Sequence, residues 1–128
     1  MEEKKKILFV DDDEIQHSIA ENMLKADYDV FKAKSGNEAL QYLYSSEFAP
    51  NLILLDIMMP DMDGWEVFNR IRGISLLKKV PIAFLTALTE SSDEKRAFEI
   101  GADDFIRKPY EKEELLSRIK TILEKAAD

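Results

Sequence analysis

The sequence predicts an α/β fold in which helices cover both faces of a doubly wound, five-stranded parallel sheet. Two observations carry this prediction: short apolar runs bounded by turn residues recur along the chain, and longer stretches of helical spacing separate them. A length of 128 residues suits one domain, and the sequence contains no linker-like segment or internal repeat. We therefore expect residues 1–128 to fold as a single domain.

The predicted strands are the apolar runs, whose nearly continuous hydrophobicity is typical of parallel strands buried on both faces. They span residues 7–10, 30–33, 52–55, 82–85 and 105–106. Consecutive parallel strands need crossover connections, and the intervening helical stretches supply them.

The predicted helices each carry one apolar face that can cover the sheet. These faces are Ile15, Ile19 and Met23; Ala39, Leu40 and Leu43; Val67, Ile71 and Ile74; and Leu115, Ile119 and Ile122. Ser35 with Glu38 and Ser91 with Glu94 have the spacing of a capping box, and Gly101 is placed to end the fourth helix. That helix, opening at residues 89–96, is polar almost all round, so we expect it to be thinly anchored.

Composition excludes several classes of function. Eighteen Lys and Arg against 26 Asp and Glu give a net charge of -8, which disfavours direct binding of nucleic-acid phosphate. No apolar run approaches the roughly 18 residues of a membrane-spanning helix, and the charged start lacks a secretory core, so we expect a cytoplasmic protein. Cysteine is absent and His17 is the single histidine, which excludes cysteine and two-histidine metal sites. His17 falls outside the apolar face of its predicted helix, so we place it at the surface.

The candidate functional residues follow the predicted strands, because the carboxyl ends of strands in such sheets are where ligands bind. Asp11 and Asp12 follow the first strand, Asp56 the third, Thr86 the fourth and Lys108 the fifth. Carboxylates crowded into one crevice repel each other unless a cation is present, and an all-oxygen ligand set suits Mg²⁺. A lysine and a hydroxyl beside such a site indicate a phosphoryl group as the second ligand, with one carboxylate as a candidate acceptor.

Each of these residues also has an ordinary structural interpretation. The aspartates after the first strand suit a turn and a helix N-cap, Thr86 suits a half-buried strand, and Lys108 suits solvent. Their joint placement at strand ends favours the functional interpretation instead.

Four sequence blocks, each ending a predicted strand, carry a family resemblance. They are ILFVDDDE at 7–14, LILLDIMMPDMDGWE at 52–66, PIAFLTA at 81–87 and GADDFIRKPY at 101–110. Together they resemble the receiver domain of bacterial two-component response regulators over essentially the whole chain, similar to chemotaxis-type and sporulation-type single-domain regulators. The resemblance implies a flavodoxin-like (βα)5 fold with strand order 2-1-3-4-5 and no output domain within these residues.

The resemblance also implies a role for each acidic residue. Asp56 would receive a phosphoryl group from a histidine kinase or a phosphotransfer protein. Asp11 and Asp12 would bind Mg²⁺ together with Asp56 and the backbone carbonyl of Met58.

Three other residues would respond to the phosphoryl group if the resemblance holds. Lys108 would pair with one phosphoryl oxygen, and Thr86 would move to hydrogen-bond another. Phe105 would occupy the aromatic position that swings inward when the hydroxyl moves. The peptide bond between Lys108 and Pro109 resembles one that is usually cis in this family.

The output implied by the resemblance is a changed surface on the fourth helix, fifth strand and fifth helix, at about residues 89–123. Downstream we expect a protein partner or an effector domain outside this chain, and a phosphorylation-dependent dimer, with no direct contact to nucleic acid or membrane. The domain would assist its own phosphorylation and dephosphorylation without being a turnover enzyme. Met58 and Leu88, both apolar, offer no side chain to position a hydrolytic water, so we expect slow dephosphorylation.

Two alternatives remain at this point. The first is a haloacid-dehalogenase-like phosphatase, whose acidic motifs resemble Asp11 with Asp13 and Asp103 with Asp104. In that family, however, the lysine precedes the late acidic pair, whereas Lys108 follows it. A phosphorylation-independent pseudo-receiver is the second, and the intact acidic, hydroxyl and lysine positions argue against it.

Overall fold

The computed structural model describes residues 3–45, 48–88 and 90–127. Within them, five parallel strands form one sheet in the order β2-β1-β3-β4-β5, which confirms the predicted fold class. The strands are β1 (Lys5–Val10), β2 (Tyr28–Ala33), β3 (Leu52–Leu55), β4 (Ile82–Thr86) and β5 (Asp104–Arg107). The helices are α1 (Glu14–Leu24), α2 (Gly36–Tyr44), α3 (Gly64–Arg72), α4 (Ser91–Glu99) and α5 (Lys112–Ala126), and a 3₁₀ turn, Ser75–Leu77, precedes β4.

Helices cover both faces of the sheet, and each face has its own core. Side chains of α2, α3 and α4 pack on one face, whereas α1 and α5 pack on the other. All residues of β3 and β4 are buried, as their continuous hydrophobicity predicts, while β2 at the sheet edge is partly exposed. None of the described helices is both long enough and apolar enough to cross a membrane.

The predicted buried face of α1 is wrong at Ile15 and Ile19, whereas Met23 is partly buried against the core, as predicted. Ile15 is 68% exposed and Ile19 is 38% exposed, whereas His17, Ala20 and Leu24 face the core. The three inward residues are spaced i, i+3 and i+7 and therefore share one helical face, and Asp13 caps the helix by accepting a hydrogen bond from the Ile15 amide at 2.8 Å. His17, predicted at the surface, is 4% exposed instead.

The other predicted apolar faces are buried. They comprise Ala39, Leu40 and Leu43; Val67 and Ile71; and Leu115, Ile119 and Ile122. Ile74 lies just beyond α3 and is half-buried.

One of the two predicted capping boxes forms its cap. The Ser35 hydroxyl accepts a hydrogen bond from the Glu38 amide at 3.1 Å. The prediction for Ser91 is wrong, because Glu90 is the N-cap residue of α4 and Ser91 already lies in the first turn. Glu94 instead forms an ion pair with Arg107 of β5 at 3.0 Å.

The fourth helix is thinly anchored, as predicted. All of its residues are described, and Ala97 alone is buried. Gly101 ends it with φ +100°, and the amide of Ala102 returns to the carbonyl of Ala97 at 3.0 Å, which forms a Schellman motif. Thr89, where the predicted helix opens, lies outside the described residues.

Candidate functional site

Asp56 directly follows β3 at the carboxyl edge of the sheet and is 6% exposed. Its amide donates to the carbonyl of Val10 at 2.9 Å, which ties it to the end of the neighbouring β1. The Ile57 amide donates to Asp56 Oδ1 at 2.8 Å, so one carboxylate oxygen is engaged locally. The Asp56 backbone is therefore tied to the neighbouring strand end, and the amide of the next residue holds its carboxylate.

Asp11 follows β1 and is 1% exposed. Its amide donates to the carbonyl of Ala33 at 3.1 Å, and its Oδ1 accepts a hydrogen bond from the Asp13 amide at 3.0 Å. Asp12, the next residue, is exposed. Asp11, Asp12 and Asp56 each offer a carboxylate oxygen, and these atoms lie within 4.8 Å of one another.

Lys108 reaches into this acidic pocket from the end of β5. Its Nζ lies 2.5 Å from Asp11 Oδ2 and 3.5 Å from Asp56 Oδ2, so one ammonium group bridges two buried carboxylates. The Lys108 amide donates to the carbonyl of Thr86 at 2.9 Å, which fixes the end of β5 against β4. The Lys108–Pro109 peptide bond is cis, as predicted.

Burial raises the pKa of the Asp56 carboxyl above its ordinary value. The charge of Lys108 lowers this pKa and that of Asp11 raises it, while hydrogen bonds from Thr86 and from the Ile57 amide lower it. Desolvation prevails over the stabilising contacts. A hard divalent cation among these carboxylates would offset that desolvation, and the all-oxygen donor set fits Mg²⁺.

Thr86 and Phe105 lie on adjacent strands beside the pocket. Thr86 is fully buried at the end of β4, and its Oγ1 accepts a hydrogen bond from the Leu88 amide at 3.3 Å. Phe105 sits in β5 opposite Phe84 and is packed into the core shared with α4. The predicted hydroxyl therefore lies at the pocket, and the predicted aromatic is inward and buried.

The loop between Asp56 and α3 depends on Gly64, where the backbone of Asp56 approaches closely. The Gly64 amide donates to the carbonyl of Ile57 at 2.8 Å, and a Cβ atom at Gly64 would lie 2.3 Å from the carbonyl oxygen of Asp56. Only glycine fits this close approach, so α3 begins directly behind the candidate acceptor. Met58, in the same loop, exposes its side chain.

Two buried polar residues beside Asp11 were missed. His17 Nε2 lies 2.6 Å from the carbonyl oxygen of Asp11. Tyr110 is buried, and burial together with the nearby charge of Asp11 raises the pKa of its hydroxyl to about 12. The sequence prediction placed His17 on the wrong side of α1 because its apolar stripe included Ile15 and Ile19, which are exposed.

The fold and this acidic pocket define a class, the receiver domains. The family described as "Response regulator receiver domain" matches residues 7–120, and the chain belongs to that family.

Individual relatives agree with this assignment. The chain is 43% identical over 122 residues to a protein of Porphyridium aerugineum named "Probable transcriptional regulator ycf27", covering 94% of this chain and 49% of that protein. It thus spans about half the length of the curated relatives it matches.

Solved structures show the same architecture. The non-phosphorylated HemR receiver domain of Leptospira biflexa is 36% identical with a TM-score of 0.82, and the match covers 94% of each chain. The Vibrio cholerae chemotaxis protein CheY4 is 30% identical with a TM-score of 0.85, covering 94% of this chain and 99% of that one.

Proposed function

We propose that this receiver domain is a phosphorylation-activated switch that accepts a phosphoryl group on Asp56 from a histidine kinase or a phosphotransfer protein. The observation that carries the proposal is the position of Lys108 Nζ between the buried carboxylates of Asp11 and Asp56. A cation held there, with the Thr86 hydroxyl alongside, suits a group that brings negative charge and acceptor oxygens.

Asp11, Asp12, Asp56 and the backbone carbonyl of Met58 would hold a Mg²⁺ ion in this proposal. When bound, the ion supplies positive charge that offsets repulsion between the acidic pocket and an incoming phosphoryl group. The close approach of the three carboxylates and the raised pKa of Asp56 support this assignment.

In the transfer step, a carboxylate oxygen of Asp56 attacks phosphorus and the bond from phosphorus to the donor imidazole nitrogen breaks. The electron pair of that bond stays on the imidazole, which takes up a proton, and an aspartyl phosphate forms. Lys108 shifts from Asp11 toward a phosphoryl oxygen, because the transferred group adds the larger local charge. The Thr86 hydroxyl donates to another phosphoryl oxygen.

The output of the switch is the surface of α4, β5 and α5. Thr86 ends β4 just before the connection to α4, so its movement toward the phosphoryl group acts directly on a helix that has a single buried side chain. Movement of Phe105 would accompany it. The phosphoryl group stabilises the arrangement that satisfies its oxygens and so shifts the population toward it.

The altered surface would act on a downstream partner, on an attached effector domain, or on a second copy in a phosphorylation-dependent dimer. The relatives named as transcriptional regulators support a role in controlling gene expression. With a net charge of -8, the receiver residues would leave DNA contact to another domain or protein.

We propose stoichiometric modification with slow hydrolysis, not enzymatic turnover. Met58 is exposed and Leu88 is half-buried beside it in one shallow depression, and neither side chain can orient a water molecule. The aspartyl phosphate would therefore be long-lived.

Intact-mass spectrometry after incubation with a small acyl phosphate and Mg²⁺ tests the proposal. We expect one phosphoryl adduct per chain, absent without Mg²⁺ and absent in Asp56→Asn. Asp61→Asn is the matched control, because it removes an exposed carboxylate from the same loop and tolerates the positive φ of that position. Continuous release of inorganic phosphate without an adduct would instead indicate a phosphatase, and no reaction at all would indicate a phosphorylation-independent module.

A further inference from the structure

We propose that His17 is a positioning residue for the acidic pocket: its imidazole holds the carbonyl of Asp11 and thereby fixes the direction of the Asp11 and Asp12 carboxylates. The inference rests on the proposed function, since it concerns the same Mg²⁺ pocket. It assigns a role to a side chain that belongs to α1 and contacts no carboxylate of the site.

The geometry defines which ring nitrogen carries the proton. His17 Nε2 lies 2.6 Å from the carbonyl oxygen of Asp11, and a carbonyl oxygen only accepts hydrogen bonds, so Nε2 must be the donor. The ring meets Phe9 edge-on, with ring centroids 4.9 Å apart and planes at 85°, which limits its rotation. The donor is therefore aimed by packing as well as by the hydrogen bond itself.

The other ring nitrogen, Nδ1, indicates why a histidine stands here in place of an apolar residue. Nδ1 is buried without a hydrogen-bond partner among the described residues. An unpaired buried polar atom destabilises the folded state, and an apolar side chain of similar size would fill the space without it. The feature that an apolar side chain cannot supply is the Nε2 donor.

The bond from His17 completes the fixation of Asp11. The Asp11 amide is held by Ala33, Oδ1 by the Asp13 amide, Oδ2 by Lys108 and the carbonyl by His17. Removing the donor leaves that carbonyl without its partner on α1.

Asp12 depends on the same bond. It is exposed and lies between the held carbonyl of Asp11 and the held amide of Asp13. The His17 amide in turn donates to the Asp13 carbonyl at 3.2 Å, so ring and backbone of His17 together brace this turn. The hydrogen bonds made by the ring and the amide of His17 therefore set the direction of the Asp12 carboxylate.

Two substitutions distinguish the effect of the hydrogen-bond donor at position 17 from the effect of side-chain volume. His17→Gln keeps an N–H donor at the reach of Nε2, whereas His17→Met keeps the volume and removes the donor. Ala20→Gly is the matched control, because it weakens the same buried face of α1 without touching Asp11. The readout is Mg²⁺ titration by the fluorescence of Trp65, which shares a surface depression with Met58 beside the pocket.

We expect His17→Met to weaken Mg²⁺ binding about tenfold, at the lower end for lost outer-shell hydrogen bonds. His17→Gln should restore most of the affinity, and Ala20→Gly should leave it unchanged. Equal affinity of His17→Met and wild type would overturn the proposal, as would equal weakening in Ala20→Gly, which would indicate general destabilisation.

A measurement on the wild-type protein covers the case in which His17→Met does not fold. Nitrogen-15 chemical shifts of the His17 ring should show a protonated Nε2 and an unprotonated Nδ1, and a proton on Nδ1 alone would overturn the proposal. If wild type itself fails to bind Mg²⁺, the proposed function fails, and this inference fails with it. If the Mg²⁺ affinity is the same with and without the donor at position 17, only the positioning role of His17 is overturned.

Discussion

Burial and charge act in opposite directions on the carboxyl group of Asp56. Lys108 and the hydrogen bonds from Thr86 and Ile57 favour its ionised form, but burial outweighs them and raises its pKa. Burial therefore disfavours the ionised form of the candidate acceptor in the metal-free domain, which costs stability at any pH where that form is populated.

Replacing Asp56 by asparagine should remove this cost. In the absence of metal, we expect Asp56→Asn to increase the free energy of unfolding at pH 7, on the order of 1 kcal/mol, a typical size for a single substitution. The measurement is urea denaturation with a chelator present.

The sign of the pH dependence follows from the raised pKa. As pH rises from the unfolded pKa, about 4, through the higher folded pKa, the native state holds the proton longer and wild type loses stability. The advantage of Asp56→Asn should therefore vanish below about pH 4, where both states of wild type are protonated. An advantage that persists unchanged at low pH would contradict this account of Asp56.

Residues at strand ends could be predicted from the sequence, whereas residues that act through helix rotation could not. Asp11, Asp56 and Lys108 follow apolar runs, so topology alone brings them to one edge of the sheet. His17 depends on which side of α1 turns inward, and the predicted apolar stripe, which included Ile15 and Ile19, indicated the wrong side. Gly64 depends on a backbone approach that no periodicity records.

The N-terminal ends of α2 and α4 differ in whether a side chain caps the helix. Ser35 caps α2 through the Glu38 amide, whereas Ser91 lies inside α4 and Glu90 makes no side-chain cap within the described part of the chain. The two serines have the same sequence spacing to a glutamate and different roles.

This difference gives a matched pair of substitutions. Ser35→Ala should lower the free energy of unfolding by about 1 kcal/mol, because it removes a cap. Ser91→Ala should change it by less than about 0.5 kcal/mol, as for an ordinary exposed position. Thermal or urea unfolding measures both, and equal losses would show that Ser91 caps its helix in solution.

The fourth helix is also the weakest in packing. Ala97 is its one buried residue, and all its positions are described, whereas α5 buries Leu115, Ile119, Ile122 and Leu123. Phe98 is exposed. A helix with so little buried apolar surface opens at low free-energy cost.

Hydrogen exchange should register this contrast. Amides of α4 should exchange faster than those of α5 in the unphosphorylated domain, and phosphorylation should slow exchange in α4. Uniform protection across both helices would contradict the weak anchoring of α4, and exchange in α4 that phosphorylation leaves unchanged would contradict the proposed coupling of Thr86 to α4.

At the scale of the whole molecule, the order and type of elements could be predicted because hydrophobic periodicity and length agree along the chain. β3 has its predicted bounds, and the other strands extend beyond theirs by one or two residues, since strand ends such as Lys5 and Arg107 carry polar side chains. The partner and the regulated process depend on surfaces that periodicity does not describe.

A bound cation should stabilise the folded domain as a whole, because three carboxylates converge only in the native state. At ten times its Kd, Mg²⁺ should add about 1.4 kcal/mol, which corresponds to a rise in Tm of about 5 °C. Asp12→Asn should abolish most of the rise. NaCl at equal ionic strength is the control, and an equal rise with NaCl would mean general charge screening.

The central claim is that Asp56 is the residue that carries the phosphoryl group. Borohydride reduction of the acyl phosphate, followed by peptide mass mapping, measures this directly, because reduction converts a phosphorylated aspartate to homoserine. We predict that after Mg²⁺-dependent phosphorylation the modified residue is at position 56 and at no other aspartate. Modification at Asp11, at Asp12 or at a residue outside the pocket would contradict the account.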